Sequence, residues 1–177
     1  MKETADEIKN ILKDLTSKNN ERVLEAIEKN RKHGNAETFA SMLNTLKETD
    51  EPEIETAIIA FLYDLKDENS IPILIEAIEN PEMSFYQSFL VAAFWQSAID
   101  GSDYIKVFVD AAIKGDYMTT LEALTVVENF DATFSASDLL EYETDLNHAA
   151  DEEADENKKV LLISMADAIR NLPIEGE

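Results

Sequence analysis

Residues 67–82 read Asp67-Glu68-Asn69-Ser70-Ile71-Pro72-Ile73-Leu74-Ile75-Glu76-Ala77-Ile78-Glu79-Asn80-Pro81-Glu82. Ile71, Ile75 and Ile78 stand four and then three positions apart, which puts them on one face of a helix. Pro72 falls at its start, where a missing N–H costs nothing. The same spacing recurs outward from this stretch: Ile8/Leu12/Leu15 and Phe39/Leu43/Leu46 before it, Ile105/Val109/Ala112 and Leu139/Glu143/Leu146 after it. The copies begin at residues 8, 39, 71, 105 and 139. A fixed period of this length is the mark of stacked helical hairpins.

A second series lies between the triplets. Ala26/Ile27/Asn30, Ala57/Ile58/Phe61, Phe89/Leu90/Ala93, Ala123/Leu124/Val127 and Ser164/Met165/Ala168 each place residues at i, i+1 and i+4, again one helix face. The two series in register predict ten helices in five antiparallel pairs, over 4–34, 35–67, 68–101, 102–132 and 133–173. The last pair is longer than the others. Its excess falls around His148 to Asn157, so it holds either an insertion between its helices or a first helix longer by about two turns. Asn30 and Arg31 occupy apolar slots of the first pair, which suits a terminal repeat with one wet face.

The punctuation agrees. Thr4-Ala5-Asp6-Glu7 reads as a capping box and Ser135-Ala136-Ser137-Asp138 as a similar start. Pro52, like Pro72, sits near a helix start. Gly34, Gly101 and Gly115 fall where helices should stop, and the left-handed conformation open to glycine is the expected reason. Leu74-Ile75 and Val126-Val127 are the only strand-like runs, and both fit the helical period better. No linker is visible, so 1–177 reads as one domain.

The stretch from Asp67 to Glu82 resembles the first helix of a HEAT repeat of the short bacterial type, and Ile54 to Asp67 is similar to the second helix. The resemblance implies an all-α fold, a right-handed α-α superhelix of about five HEAT-like hairpins. It departs from the family at Glu55 and Gln87, where Arg is frequent, and at Tyr63 and Trp95, where a small residue is frequent. The family is mostly a scaffold whose motif carries fold, so no functional residue is transferred from it.

Charge narrows the partner class. The chain has 177 residues and a formal net charge of −23. Residues 1–49 balance their charges, so residues 50–177 carry all of the excess; no Lys or Arg occurs from Asp67 to Ile105 or from Gly115 to Asn157. Such a surface repels nucleic-acid phosphates and anionic membrane, so neither is an expected partner. A basic protein or peptide would be attracted and steered. The plainer reading is a solvated face that keeps the chain soluble. There is no run of 18 apolar residues and no signal-peptide pattern at the N-terminus, so the expected location is the cytoplasm. Cysteine is absent, which excludes disulfides, thiolate catalysis and Cys-ligated zinc.

Two groups of residues are candidate partner contacts. Tyr63 and Trp95 occupy equivalent slots of the second series, in a column with Lys32 and Asn129 and, less regularly, Arg170. Tyr and Trp are frequent anchors because they bury much area and keep a polar handle. The alternative is that both rings pack on the next repeat. Of the aromatic residues nearby, Phe89 and Phe94 are assigned to the core, and Phe85 and Tyr86 to neither side. The second group is Asp151, Glu152, Glu153, Asp155 and Glu156, like charges too dense to pack, expected on a mobile loop or frayed helix end.

Catalytic signals are weak. His33 and His148 lack ligand-spaced partners, and no metalloprotease, EF-hand, nucleophile-elbow or phosphate-loop motif occurs. Glu143 interrupts an apolar stripe, and the simplest reading turns Leu140 or Tyr142 inward and leaves Glu143 at the boundary. No catalytic residue, metal or cofactor is therefore expected. The favoured function is a non-enzymatic interaction scaffold for a basic partner. The alternatives are an acidic inhibitor or immunity-type protein that occludes a basic site, and an enzyme of the HEAT-like lyase kind.

Overall fold

The computed structural model describes residues 2–176, with side chains from residue 5 onward, and it is all-α. Among the described residues there are ten α-helices: α1 (Lys2–Leu15), α2 (Asn20–His33), α3 (Ala36–Glu48), α4 (Pro52–Leu62), α5 (Ile71–Glu79), α6 (Gln87–Gln96), α7 (Ile105–Lys114), α8 (Tyr117–Glu128), α9 (Ala136–Glu152) and α10 (Glu156–Arg170). Short 3-10 turns at Glu68–Ser70, Pro81–Tyr86 and Ser102–Tyr104 lead into α5, α6 and α7. The only β pairing among the described residues is an isolated bridge between Phe134 and Ile174.

The helices form two rows. Odd helices touch in order, α1 to α3 to α5 to α7 to α9, and even helices likewise from α2 to α10. Each odd helix also packs on the even helix that follows it. One apolar cluster runs through both rows from Ile11 to Ile169. All three residues of the second, third and fourth triplets are buried, as are Leu139 and Leu146 of the fifth. Each large apolar side chain so buried stabilises the fold by about 1.5–3 kcal/mol before entropy is counted. In α1 the stripe is turned slightly: Ile11 and Leu15 are buried while Ile8 and Leu12 are half-buried. In α10 the fully buried Leu162 joins Met165 and Ile169, and Leu161, Ala168 and Leu172 are only half-buried.

Several local expectations change. Helix α1 begins at Lys2, upstream of Thr4, so Thr4 is not its cap; the Thr4 side chain lies outside the described residues. Ser135 does precede α9, but it makes no side-chain cap bond and its hydroxyl pairs with that of Ser137 at 2.8 Å. Gly34 and Gly115 close α2 and α7 at φ −67° and −77°, whereas α6 ends at Gln96 with Ser97 as its cap and Gly101, at φ −100°, opens the turn into α7; none of the three is left-handed. Space explains all three better than conformation, since a Cβ on Gly34 would run into the Asn30 side chain. A Cβ on Gly101 would lie 2.6 Å from Phe94 Cδ1 and 2.9 Å from Phe108 Cζ, and one on Gly115 would lie 2.6 Å from the Ala111 carbonyl oxygen.

Asn30 is not on a wet face. It is 5% exposed, and Thr38 Oγ1 donates to its Oδ1 at 2.6 Å while its Nδ2 points to Met42 Sδ at 3.6 Å. Thr38 in turn closes a reciprocal cap with Asn35 at the start of α3. A buried amide is tolerated here because α3 supplies partners for it.

The last pair resolves in favour of a longer helix. Helix α9 has 17 residues against 10 in α7, and only Glu153, Ala154 and Asp155 separate it from α10. The acidic run is therefore an ordered helix end, a tight turn and a helix start. Glu153 is half-buried and lies 2.9 Å from Lys158 Nζ; Asp155 caps α10 by accepting from the Asn157 and Lys158 N–H groups. The dense charge is accommodated because these partners offset it, which spacing along the chain does not reveal.

Candidate protein-binding surface on the even helices

The expected column lies at the C-terminal ends of the even helices. Lys32 is in the last turn of α2, Tyr63 caps α4, Trp95 is in the last turn of α6, Asn129 caps α8 and Arg170 ends α10. Their surroundings differ. Lys32 lines a cavity of about 260 Å³ with Asn30, Arg31, Phe39, Phe61 and Asp64. The Asn129 amide is spent on the Thr125 carbonyl at 2.7 Å. Arg170 donates through Nε to Glu143 Oε1 at 2.8 Å, which explains how Glu143 sits on an apolar stripe. Glu143 is indeed at the boundary; of the two neighbours expected to turn inward, Tyr142 is half-buried against the core and Leu140 is exposed.

Tyr63 and Trp95 converge on a residue that the sequence does not single out. Trp95 is 38% exposed, and its Nε1 donates to Glu122 Oε2 of α8 at 2.6 Å. Tyr63 is half-buried against the core, and its hydroxyl pKa is pushed up, first by burial and second by the negative charge of Glu122. Tyr63 thus packs on the core, whereas Trp95 is exposed and is held at the surface by its bond to Glu122. Glu122 was invisible in a chain with 38 acidic residues, because only the α6–α8 packing distinguishes it.

The even helices carry a broader feature, mostly toward their starts. Eight large apolar residues are exposed among those described, and seven of them belong to even helices or the turn leading into one: Phe85, Phe89, Trp95, Tyr117, Met118, Val160 and Ile163. Only Leu140 is on an odd helix. Phe85 is 79% exposed and meets Tyr86 edge-on, with centroids 5.0 Å apart. Tyr86 itself is buried and bonds Glu55, whereas Phe94 is in the core against Phe108. Phe89, expected in the core, is exposed. Its slot holds Ala57 and Ala123 in neighbouring copies, and a site that closes on a methyl has no room for a phenyl ring. A signal for this surface did exist in the sequence: from Met83 to Ile99 no residue is charged, in a chain that is 30% charged.

The five acids of the α9–α10 turn are not part of the trio of Tyr63, Trp95 and Glu122. They span the end of α9, the turn and the first residue of α10, while Arg170 of the column ends α10, about 20 Å away along a helix of this length. His33 and His148 are half a pair each, with Glu7 at 3.3 Å and Glu152 at 3.7 Å. Among the described residues no group of three metal-ligating side chains converges, and no helix is long and apolar enough to cross a membrane. No protein-family model, curated protein or solved structure matches the chain.

Proposed function

We propose that this protein is a non-enzymatic interaction module, a HEAT-like helical stack that binds a basic protein or peptide across its even helices. The observation that carries the reading is the concentration of exposed aromatic and aliphatic side chains on α6, α8 and α10. Exposed apolar side chains that adjoin in one patch mark a docking surface, and their shared row of helices supports that arrangement. The charge supports the partner's sign. The segments around this face contain no Lys or Arg over long stretches, so a cationic partner gains both steering and selectivity over acidic competitors.

The test is a capture experiment with two baits, the natural chain and a Phe85→Ser, Phe89→Ser double variant. Both residues are exposed, so the variant should fold. The expected result is a basic partner held by the natural chain, released as salt rises, and absent from the variant. Equal capture by both baits would overturn the reading. A single stoichiometric partner whose own catalytic groove becomes blocked would specify the inhibitor form of the same function.

A further inference from the structure

We infer that the Trp95–Glu122 junction is an arginine-recognition site, in which a partner's guanidinium lies on the indole face and bonds the Glu122 carboxylate. The inference rests on the interaction-module reading and names the side chain that the module takes.

Three observations support it. Trp95 is partly exposed, and its N–H occupies Oε2 of Glu122, which leaves the other carboxylate oxygen for a second donor. Among the described residues Glu122 forms no ion pair, as is true of most acids of this chain; what sets it apart is that an exposed indole is bonded to it. No cation lies nearby in sequence to supply one, since Lys and Arg are absent from Gly115 to Asn157 and from Asp67 to Ile105.

The third observation is an internal precedent. Between α2 and α4, Arg31 places Cζ 5.1 Å from the Phe61 ring centroid and bonds Asp64 Oδ2 through Nη1 at 2.9 Å. That junction holds an aromatic ring, a carboxylate and a guanidinium. The α6–α8 junction holds the ring and the carboxylate, with a better ring for a cation, since indole attracts cations more strongly than phenyl. Arginine fits better than lysine because its planar group stacks on the ring while its edge donates to an oxygen. Phe89 on the same helix and Phe85 in the turn that leads into it are exposed and would take apolar side chains of the same partner.

The test selects binders from a displayed library of random 16-residue peptides on the intact protein, then measures chosen peptides by calorimetry. Trp95 is the only tryptophan, so its fluorescence reports occupancy directly. The expected selection is Arg beside Leu, Phe or Trp. Changing that Arg to citrulline, its neutral isostere, should weaken binding at least about tenfold. Glu122→Gln should weaken the arginine peptide similarly and leave the citrulline peptide unchanged. If arginine, lysine and citrulline peptides bind alike but are lost on Phe89→Ser, the guanidinium site is wrong and the docking face stands. If no peptide is selected, or those selected ignore both Glu122→Gln and Phe89→Ser, both conclusions fall.

Discussion

Glu153 and Lys158 lie 2.9 Å apart across the α9–α10 turn, and the same ammonium donates to the Ile113 carbonyl at 3.1 Å. The densest acidic run of the chain is therefore fastened to the end of α7. Glu153 is held below the usual carboxylate range, first by the Asp155 backbone N–H and then by Lys158. A depressed carboxylate contributes stability above its unfolded pKa and loses it as pH falls through the folded value. Glu153→Gln should lower the melting temperature at pH 7, and the gap from the natural chain should close as the medium is acidified. Asp155→Ala removes a helix cap and should cost about 1 kcal/mol. Asp151, Glu152 and Glu156 are exposed, and replacing them with Ser or Gln should change stability by no more than about 0.5 kcal/mol. Uniform tolerance across all five would show that the turn does not depend on these bonds.

Trp95 and Phe108 offer a direct comparison of surface and core aromatics. Phe108 is fully buried and meets Phe94 edge-on at 4.9 Å. Phe108→Ala should cost about 3–5 kcal/mol. Trp95→Ala removes a partly exposed ring and one hydrogen bond, and should cost less than half as much on that scale. Denaturant titrations of the two variants measure the difference. Equal losses would place Trp95 among the core residues and remove it from the binding surface.

The Asn30–Thr38 bond predicts an asymmetry. Thr38→Val keeps the shape but leaves the buried Asn30 Oδ1 without its donor and the Asn35 N–H without its acceptor; the first loss alone costs about 1–3 kcal/mol and is the part that the partner substitution can recover. Asn30→Leu combined with Thr38→Val removes both polar partners and should recover part of that loss. A double variant less stable than Thr38→Val alone would mean that the amide's shape, rather than its bonding, matters at this site.

Alkaline unfolding should report Tyr86. Burial, then the hydrogen bond to Glu55 and its charge, push the Tyr86 hydroxyl up to about 12 from an ordinary value of 10. With the folded pKa raised, the contribution of the neutral phenol is complete below pH 10 and is lost between pH 10 and pH 12. Tyr63 and Tyr142 are shifted in the same direction, first by burial, and add to the same loss. Tyr86→Phe should be less stable at pH 7 and should lose stability less steeply above pH 10. Urea midpoints from pH 8 to pH 12 measure both, and identical slopes would dismiss Tyr86 as the titrating group.

Gly101 should be intolerant of even one methyl. Its Cβ would enter the contact between Phe94 and Phe108, so Gly101→Ala should cost about 1–3 kcal/mol by overpacking unless Phe94 shifts toward the cavity that it lines with Gly101 and Phe130. A neutral thermal melt would mean that the rings can move apart.

The helices were legible in the sequence because their signals are local. Ile71, Ile75 and Ile78 share a face by spacing alone, Pro52 and Pro72 mark starts, and the period from one triplet to the next sets the ten-helix order. The balance of charge was equally legible, being a matter of composition. What the tertiary structure decided was how residues far apart in the chain meet. Glu122 stands out only because α8 packs beside α6, and Asn30 is satisfied only because α3 brings Thr38 to it. Phe89 turns outward because its slot closes on alanine-sized neighbours, and the acids near Glu153 are ordered by a lysine and a carbonyl from α7. Periodicity specifies which face of each helix is buried; whether a polar or aromatic residue on that face finds a partner depends on the neighbouring helix, and spacing along one chain carries no record of that contact.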